Sequence, residues 1–222
     1  MPGVSTGFLG ALSASERDAL QERASRRRHT RGAVLFHEHD DSDSIVVVLS
    51  GRVKVSTVTE DGREVVLAFR GPGDLVGELS AIDRRPRSAT VSAVEPVEGL
   101  TLAASEFRAF LHAHPRVALL LLEMIMRRLR DADRKRVEFA AHDTVGRVSA
   151  RLVELAEAHG RPVGGGVEIT LPLSQEELAG WTGASREAVG KALQLMRGLG
   201  WVATQRRRIT VLDLEALRAR SA

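Results

Sequence analysis

"SIVVVLSGRVKVSTVTEDGREVVLAFRGPGD", residues 44–74, is three short apolar runs separated by turn residues. The runs "SIVVVLS", "RVKVSTV" and "EVVLAF" are rich in β-branched side chains, which fit a pleated, half-buried surface better than a helix. Gly51, "EDG" at 60–62 and "GPGD" at 71–74 mark the corners. Asp61-Gly62 between two alternating runs is a strong hairpin signal.

The same pattern extends outward from residue 28 to 103, through "AVLF", "SATVSAV" and "EGLTLA". Many short strands with glycine corners predict an antiparallel barrel or roll. Upstream, Ser13 with Glu16 three residues on forms a capping box that starts a short helix. Downstream the period changes. Residues 105–112 suit a short helix, Pro115 restarts the chain, and residues 115–140 read as one long helix. Leu121, Ile125, Leu129, Ala132, Arg136 and Phe139 recur at spacings of three and four along it. Such a stripe faces a core or forms a two-stranded seam, and the charged flanks "RRLR" and "DRKR" favour the seam.

From Asp143 a further helix runs to Gly160, followed by a loop "RPVGGG" and a short strand "VEITLP". Ser174 and Glu177 form a second capping box. Its helix reaches about Trp181, turns at Thr182-Gly183-Ala184, and a longer helix begins at Ser185. A short helix, a glycine turn and a longer helix opening Ser-Arg-Glu make a helix-turn-helix. Its N-terminal end would present Arg186, Glu187 and Lys191 to base edges, with Ala188, Val189 and Leu193 facing the core. Arginine reads guanine with two prongs and glutamate accepts from the cytosine amine. "WVATQRRRITVLD" then reads as a two-stranded ribbon, whose tip Arg206, Arg207 and Arg208 suits phosphate contacts.

Composition limits the alternatives. Among 222 residues there is no cysteine, which excludes disulfides, thiol catalysis and cysteine-held metal clusters. "HEH" at 37–39 and "HAH" at 112–114 lack a third ligand at metal spacing and read as solvated polar residues. No signal peptide or membrane span is expected, so the protein is expected in the cytoplasm. Residues 1–112 hold 14 basic against 16 acidic side chains, and residues 113–222 hold 18 against 13. The C-terminal half therefore leans weakly towards polyanions.

"GELSAIDRRPRSATV", residues 77–91, carries the remaining chemistry. Arg87 can fork onto a phosphate, Ser88 can donate to it, Glu78 can accept from a ribose hydroxyl, and Gly77 lets backbone approach the sugar. Those are the needs of a cyclic nucleotide. A surface Glu–Arg salt bridge is the plainer alternative. A catalytic role lacks an accompanying nucleophile, base or metal set, so no enzyme is expected.

With these residues in view, the sequence resembles the CRP/FNR transcription regulators, homologues of the bacterial cyclic AMP receptor protein, over nearly its whole length. The anchors are "GELSAIDRRPRSAT", "HPRVALLLLEMIMRRLR", "DTVGRVSARLVELA" and "LSQEELAGWTGASREAVGKAL". The resemblance implies an α+β chain with three parts: a β-roll effector domain (1–112), a central dimerisation helix (113–142) and a winged helix-turn-helix (143–222). It assigns Gly77, Glu78, Leu79, Arg87 and Ser88 to ribose and phosphate, and Ser185, Arg186 and Glu187 to DNA; Ser174, Lys191 and the ribbon-tip Arg206 to Arg208 complete the expected DNA-binding set. It also implies a homodimer on a palindromic operator and RNA polymerase as a partner. Lys191 stands where an arginine is usual, so a TGTGA-like half-site is expected with relaxed reading at one position. No cofactor is obligatory; the effector implied is cyclic AMP or a related molecule.

One departure concerns the base. Where cyclic-AMP-responsive members carry Thr-Ser or Thr-Asn on the central helix, this chain has Ala132 and Asp133. Asp133 could accept from an exocyclic amine, with Arg136 as its neutraliser, but a carboxylate left unpaired near the seam is costly. A constitutive DNA binder with a vestigial pocket, Arg87 being satisfied internally by Glu78 or an aspartate, stays as the alternative.

Overall fold

The computed structural model describes residues 7–41, 43–171, 173–205 and 207–221. They fall into two compact units, residues 7–59 with 67–130, and 60–66 with 131–221.

The first unit opens with α1 (Phe8–Ala11) and α2 (Ala14–Glu22). The capping box on α2 forms in both directions: Glu16 N–H donates to Ser13 Oγ, and Ser13 N–H donates to the Glu16 carboxylate at 2.8 Å. β1 (Ser25–His29), β2 (Val34–Phe36), β3 (Ser44–Ser50), β4 (Val53–Val58), β5 (Glu64–Arg70) and β6 (Leu75–Val76) follow. After a short helix, α3 (Glu78–Asp83), come β7 (Thr90–Ala93), β8 (Val97–Ala103) and α4 (Ala104–Ala113). The strands make two antiparallel sheets, ordered β1-β8-β3-β6 and β2-β7-β4-β5. Asp61-Gly62 lies in the β4–β5 turn, with Gly62 at φ +79°.

β3 explains why "SIVVV" is apolar without interruption. Its side chains alternate between two cores. Ile45 and Val47 pack with Leu100, Leu102, Phe107, Phe110 and Leu20, while Val46 and Val48 pack with Phe36, Val53, Val91 and Val97 between the sheets.

α5 (Pro115–Ala141) is one helix, as the spacing predicts. The predicted stripe divides, however. Val117, Leu121 and Met124 are buried in the first core and Ile125 packs against it, whereas Leu129, Ala132, Arg136 and Phe139 are exposed. The exposed apolar face is a different one: Leu119, Leu122, Met126 and Leu129. This half of the helix is apolar on two opposed faces: one covers the β-roll, and the other is left uncovered by the described residues.

The second unit contains α6 (Thr144–His159), β9 (Gly160–Val163), β10 (Gly166–Ile169), α7 (Gln175–Thr182) and α8 (Arg186–Gly198). It ends with β11 (Val202–Gln205), β12 (Arg208–Val211) and α9 (Leu214–Arg220), and its sheet runs β11-β12-β10-β9. One expectation changes here. "RPV", expected in a loop, is strand β9, hydrogen-bonded to β10 across the Gly164-Gly165 turn. The tail beyond the ribbon is helical, with Asp213 as its N-cap. The last turns of α5 are fixed to this unit: buried Arg151 pairs with Glu138 and Glu154, and the Arg147 guanidinium lies 4.6 Å over the Phe139 ring.

Candidate functional site

The cassette begins where β6 ends. Gly77 takes φ +83°, and a Cβ there would sit 2.7 Å from Arg87 Nη1 and 2.9 Å from the Phe36 ring. Conformation and space both demand glycine. Glu78 starts α3, is only 4% exposed, and accepts from Arg128 Nη1 of α5 at 2.5 Å. Arg128 also donates to the Leu75 carbonyl at 2.9 Å, which fixes it against the end of β6. Leu79 and Ser88 are exposed.

After α3 the chain turns through Arg84 (φ +60°) and brings Arg87 back inside, 3% exposed. Arg87 N–H donates to the Asp40 carbonyl at 2.8 Å, and His39 N–H donates to the Arg87 carbonyl at 2.9 Å, so two loops are zipped together. The guanidinium has four oxygen partners. Nη1 donates to Gly77 O and Ser80 Oγ, both at 3.1 Å; Nη2 donates to Ser44 O at 2.7 Å and Asp43 Oδ1 at 3.3 Å. Its carbon lies 3.7 Å from the centre of the Phe36 ring. Burial pulls its pKa below the ordinary arginine value, and the charges of Asp43, Asp40 and Glu78 oppose that shift.

The sequence-predicted pair Glu78 and Arg87 is therefore in one cassette, but each has an internal partner. Glu78 is held by Arg128 rather than by Arg87, and the aspartate on Arg87 is Asp43. Sequence reading missed Phe36, Asp43, Ser44, Ser80 and Arg128. The arginine of "RRLR" that turns inward carries no local mark, since its neighbours Arg127 and Arg130 stay exposed. Asp133 lies on the exposed side of α5, with Arg136 Nη1 3.7 Å away.

In the second unit, Ser174 caps α7, and its hydroxyl is engaged with Glu177 at 2.8 Å. Gly183 ends α7 in the left-handed conformation at φ +62°, where a Cβ would strike the Phe139 ring at 2.3 Å. Ser185 caps α8 by accepting from Ala188 N–H at 3.1 Å. Val189, Ala192, Leu193 and Met196 are buried, which turns Arg186, Glu187 and Lys191 outward. Arg197 Nη1, at the far end of α8, donates to Thr204 Oγ1 on β11 at 3.2 Å and ties helix to ribbon. At the ribbon tip Arg207 is exposed at φ +57°. Arg208 is drawn back towards Glu168 at 3.5 Å, and Arg206 lies outside the described residues. The side chains of Arg186, Lys191 and Arg207 have no ion-pair or hydrogen-bond partner among the described residues. Three unpaired cations on a helix-turn-helix and its wing form a surface for a polyanion.

A β-roll with an arginine cassette, followed by a helix-turn-helix, defines an effector-domain regulator, and comparison with known proteins agrees. Residues 26–114 match the cyclic nucleotide-binding domain, and residues 146–220 match the Crp-like helix-turn-helix domain. The CRP-like cAMP-activated global transcriptional regulator of Mycobacterium tuberculosis is 32% identical over 215 residues, covering 97% of this chain and 96% of its own. The cyclic AMP receptor protein of Thermus thermophilus is 31% identical, covering 86% and 85%. FixK2 from Bradyrhizobium japonicum shares the fold, with a TM-score of 0.79 at 22% identity over 90% of this chain and 98% of that one. The chain belongs to the CRP/FNR family of transcription regulators. Among the described residues, no single helix is long and apolar enough to cross a membrane, and no three histidine or carboxylate side chains are grouped to hold a metal ion.

Proposed function

We propose that this regulator acts in the cytoplasm as a homodimer on a palindromic operator, with a cyclic-nucleotide-like anion in the β-roll setting its DNA affinity. The observation that carries the DNA half is the set of unpaired cations Arg186, Lys191 and Arg207. With Glu187 they offer base-edge readout from α8 and a phosphate contact from the wing. Lysine at 191 supports TGTGA-like half-sites read more loosely at one base. Leu119, Leu122, Met126 and Leu129 support the dimer. Their 3-4-3 spacing on α5 is that of a two-stranded seam, and a second copy is the occupant that such a self-complementary stripe fits. The same spacing continues to Asp133 and Arg136, so an ion pair enters the seam where apolar residues end.

In the cassette, Arg87 and Ser88 would take the cyclic phosphate, Glu78 the ribose and the Gly77 and Leu79 backbone the sugar edge. Asp133 would face an exocyclic amine. Effector shifts the population of the DNA-competent state by no more than its differential affinity for the two states. Regulation of transcription would then proceed through RNA polymerase. A second reading has its own support: four Nη hydrogens of Arg87 already have acceptors, which suits a constitutive binder with a vestigial pocket.

Fluorescence anisotropy on a TGTGA palindrome, with and without cyclic AMP, separates the readings. Effector-dependent tightening supports regulation, and tight binding indifferent to any cyclic nucleotide supports the second reading. Failure of Arg186→Ala to weaken DNA binding would refute the α8 assignment.

A further inference from the structure

Resting on the reading of the cassette as a cyclic-nucleotide site, we infer that Asp43 is a resident competitor anion. It holds the guanidinium edge that a ligand phosphate would take, and it restricts the site to singly charged phosphodiesters.

The geometry separates the four partners of Arg87 into two kinds. Gly77 O at the N-cap of α3, Ser80 Oγ on α3 and Ser44 O on β3 are uncharged oxygens, and they hold the guanidinium in place. Among the described residues Asp43 is the one charged partner in contact, at 3.3 Å the longest of the four, and its side chain is 86% exposed. Solvent therefore reaches the Asp43 carboxylate, while Arg87 behind it is 3% exposed. Ser44 Oγ donates to the same Oδ1 at 2.7 Å and steadies the carboxylate there.

A phosphate arriving at Arg87 must exchange with Asp43, one anion for another, while the three uncharged oxygens keep their hydrogen bonds. The exchange lowers apparent affinity by the worth of the resident pair. It also selects by charge. Asp40 and Asp43 both act on Arg87, and the nearby Glu78 is balanced by Arg128. Repulsion from Asp40, and from Asp43 once the ligand has taken Arg87 from it, scales with the ligand's charge. A cyclic diester brings one negative charge, whereas a 5′-phosphate monoester brings about two at pH 7. The carboxylates therefore favour the diester.

The test is calorimetry on the full chain with cyclic AMP and with 5′-AMP, comparing wild type, Asp43→Asn and Arg87→Ala at one pH and salt concentration. Asparagine keeps the shape and removes the charge. We expect Asp43→Asn to bind cyclic AMP about twofold to fivefold tighter, the range for an exposed ion pair, and to gain more for 5′-AMP, so that diester selectivity falls. Arg87→Ala should bind neither. Unchanged or weaker cyclic AMP binding by a folded Asp43→Asn protein, with wild-type binding intact, would overturn the role of Asp43 and leave the cassette reading standing. A rise in cyclic AMP affinity with unchanged selectivity would overturn the charge filter. If neither wild type nor Asp43→Asn bound either nucleotide, the effector reading and this inference would fall together. Asp43→Ser, which also removes the charge, repeats the test should the asparagine variant unfold.

Discussion

Arg87 and Arg186 are the same residue type put to opposite uses. Arg87 is inside the β-roll, stacked on Phe36, with both Nη groups engaged. Arg186 stands on the first turn of α8 with its side chain exposed and unpartnered among the described residues. Burial makes a charge part of the fold, because losing a buried charge orphans its partners. Exposure leaves a charge free for an outside partner at almost no structural cost. The difference teaches that one arginine can fail a ligand test through unfolding while the other can fail it only through binding.

Chemical denaturation should show this most sharply. Arg87→Ala is expected to lower stability by about 3 kcal/mol, because Gly77 O, Ser44 O and Ser80 Oγ each lose a hydrogen bond and a cavity opens at Phe36. Arg186→Ala should change stability by less than about 0.5 kcal/mol. Equal effects would erase the contrast. In DNA isotherms the order reverses: Arg186→Ala should cost about 1–3 kcal/mol and relax one base position.

Acid should act on the β-roll through Glu16. Arg116, and then Ser13 N–H, hold its carboxyl down at about 2 from an ordinary 4.5. A depressed carboxyl contributes stability that is full above about pH 4.5 and is lost as pH falls through about 2. Glu16→Gln should therefore be less stable than wild type at pH 7, with the two unfolding curves converging near pH 2. Curves that stay parallel would remove Glu16 from the account. The smallest expected effect is at the wing: Arg207→Ala should reduce the salt dependence of DNA binding by about one counterion. Arg208→Ala should reduce it by less, because Glu168 already draws on that guanidinium.

Much of this contrast was readable beforehand, and the reasons differ by region. Capping boxes, glycine turns and the α8 apolar spacing are local, so the helix-turn-helix could be read residue by residue. Arg87 and Glu78 were identifiable by type, but their partners were not: Asp43 is 44 residues from Arg87, and Arg128 is 50 residues from Glu78. Strand β1 reads "SRRRH", with four exposed positions and no alternation, so its β structure comes from pairing with β8 and not from its own pattern. α5 misled because apolar residues cover two faces, and periodicity alone cannot say which one a β-roll will cover.

Arg128 and Leu129 are consecutive on α5. The first grips the carboxylate of Glu78, and the second stands on the open apolar face. A helix is a stiff shaft, and neighbouring residues on it are set at about 100° to each other. No turn of the shaft can loosen Arg128 from Glu78 without swinging Leu129 through the same angle. Cassette and open face are thus two handles on one crank, and a rotation at the first is carried, one residue later, to the second.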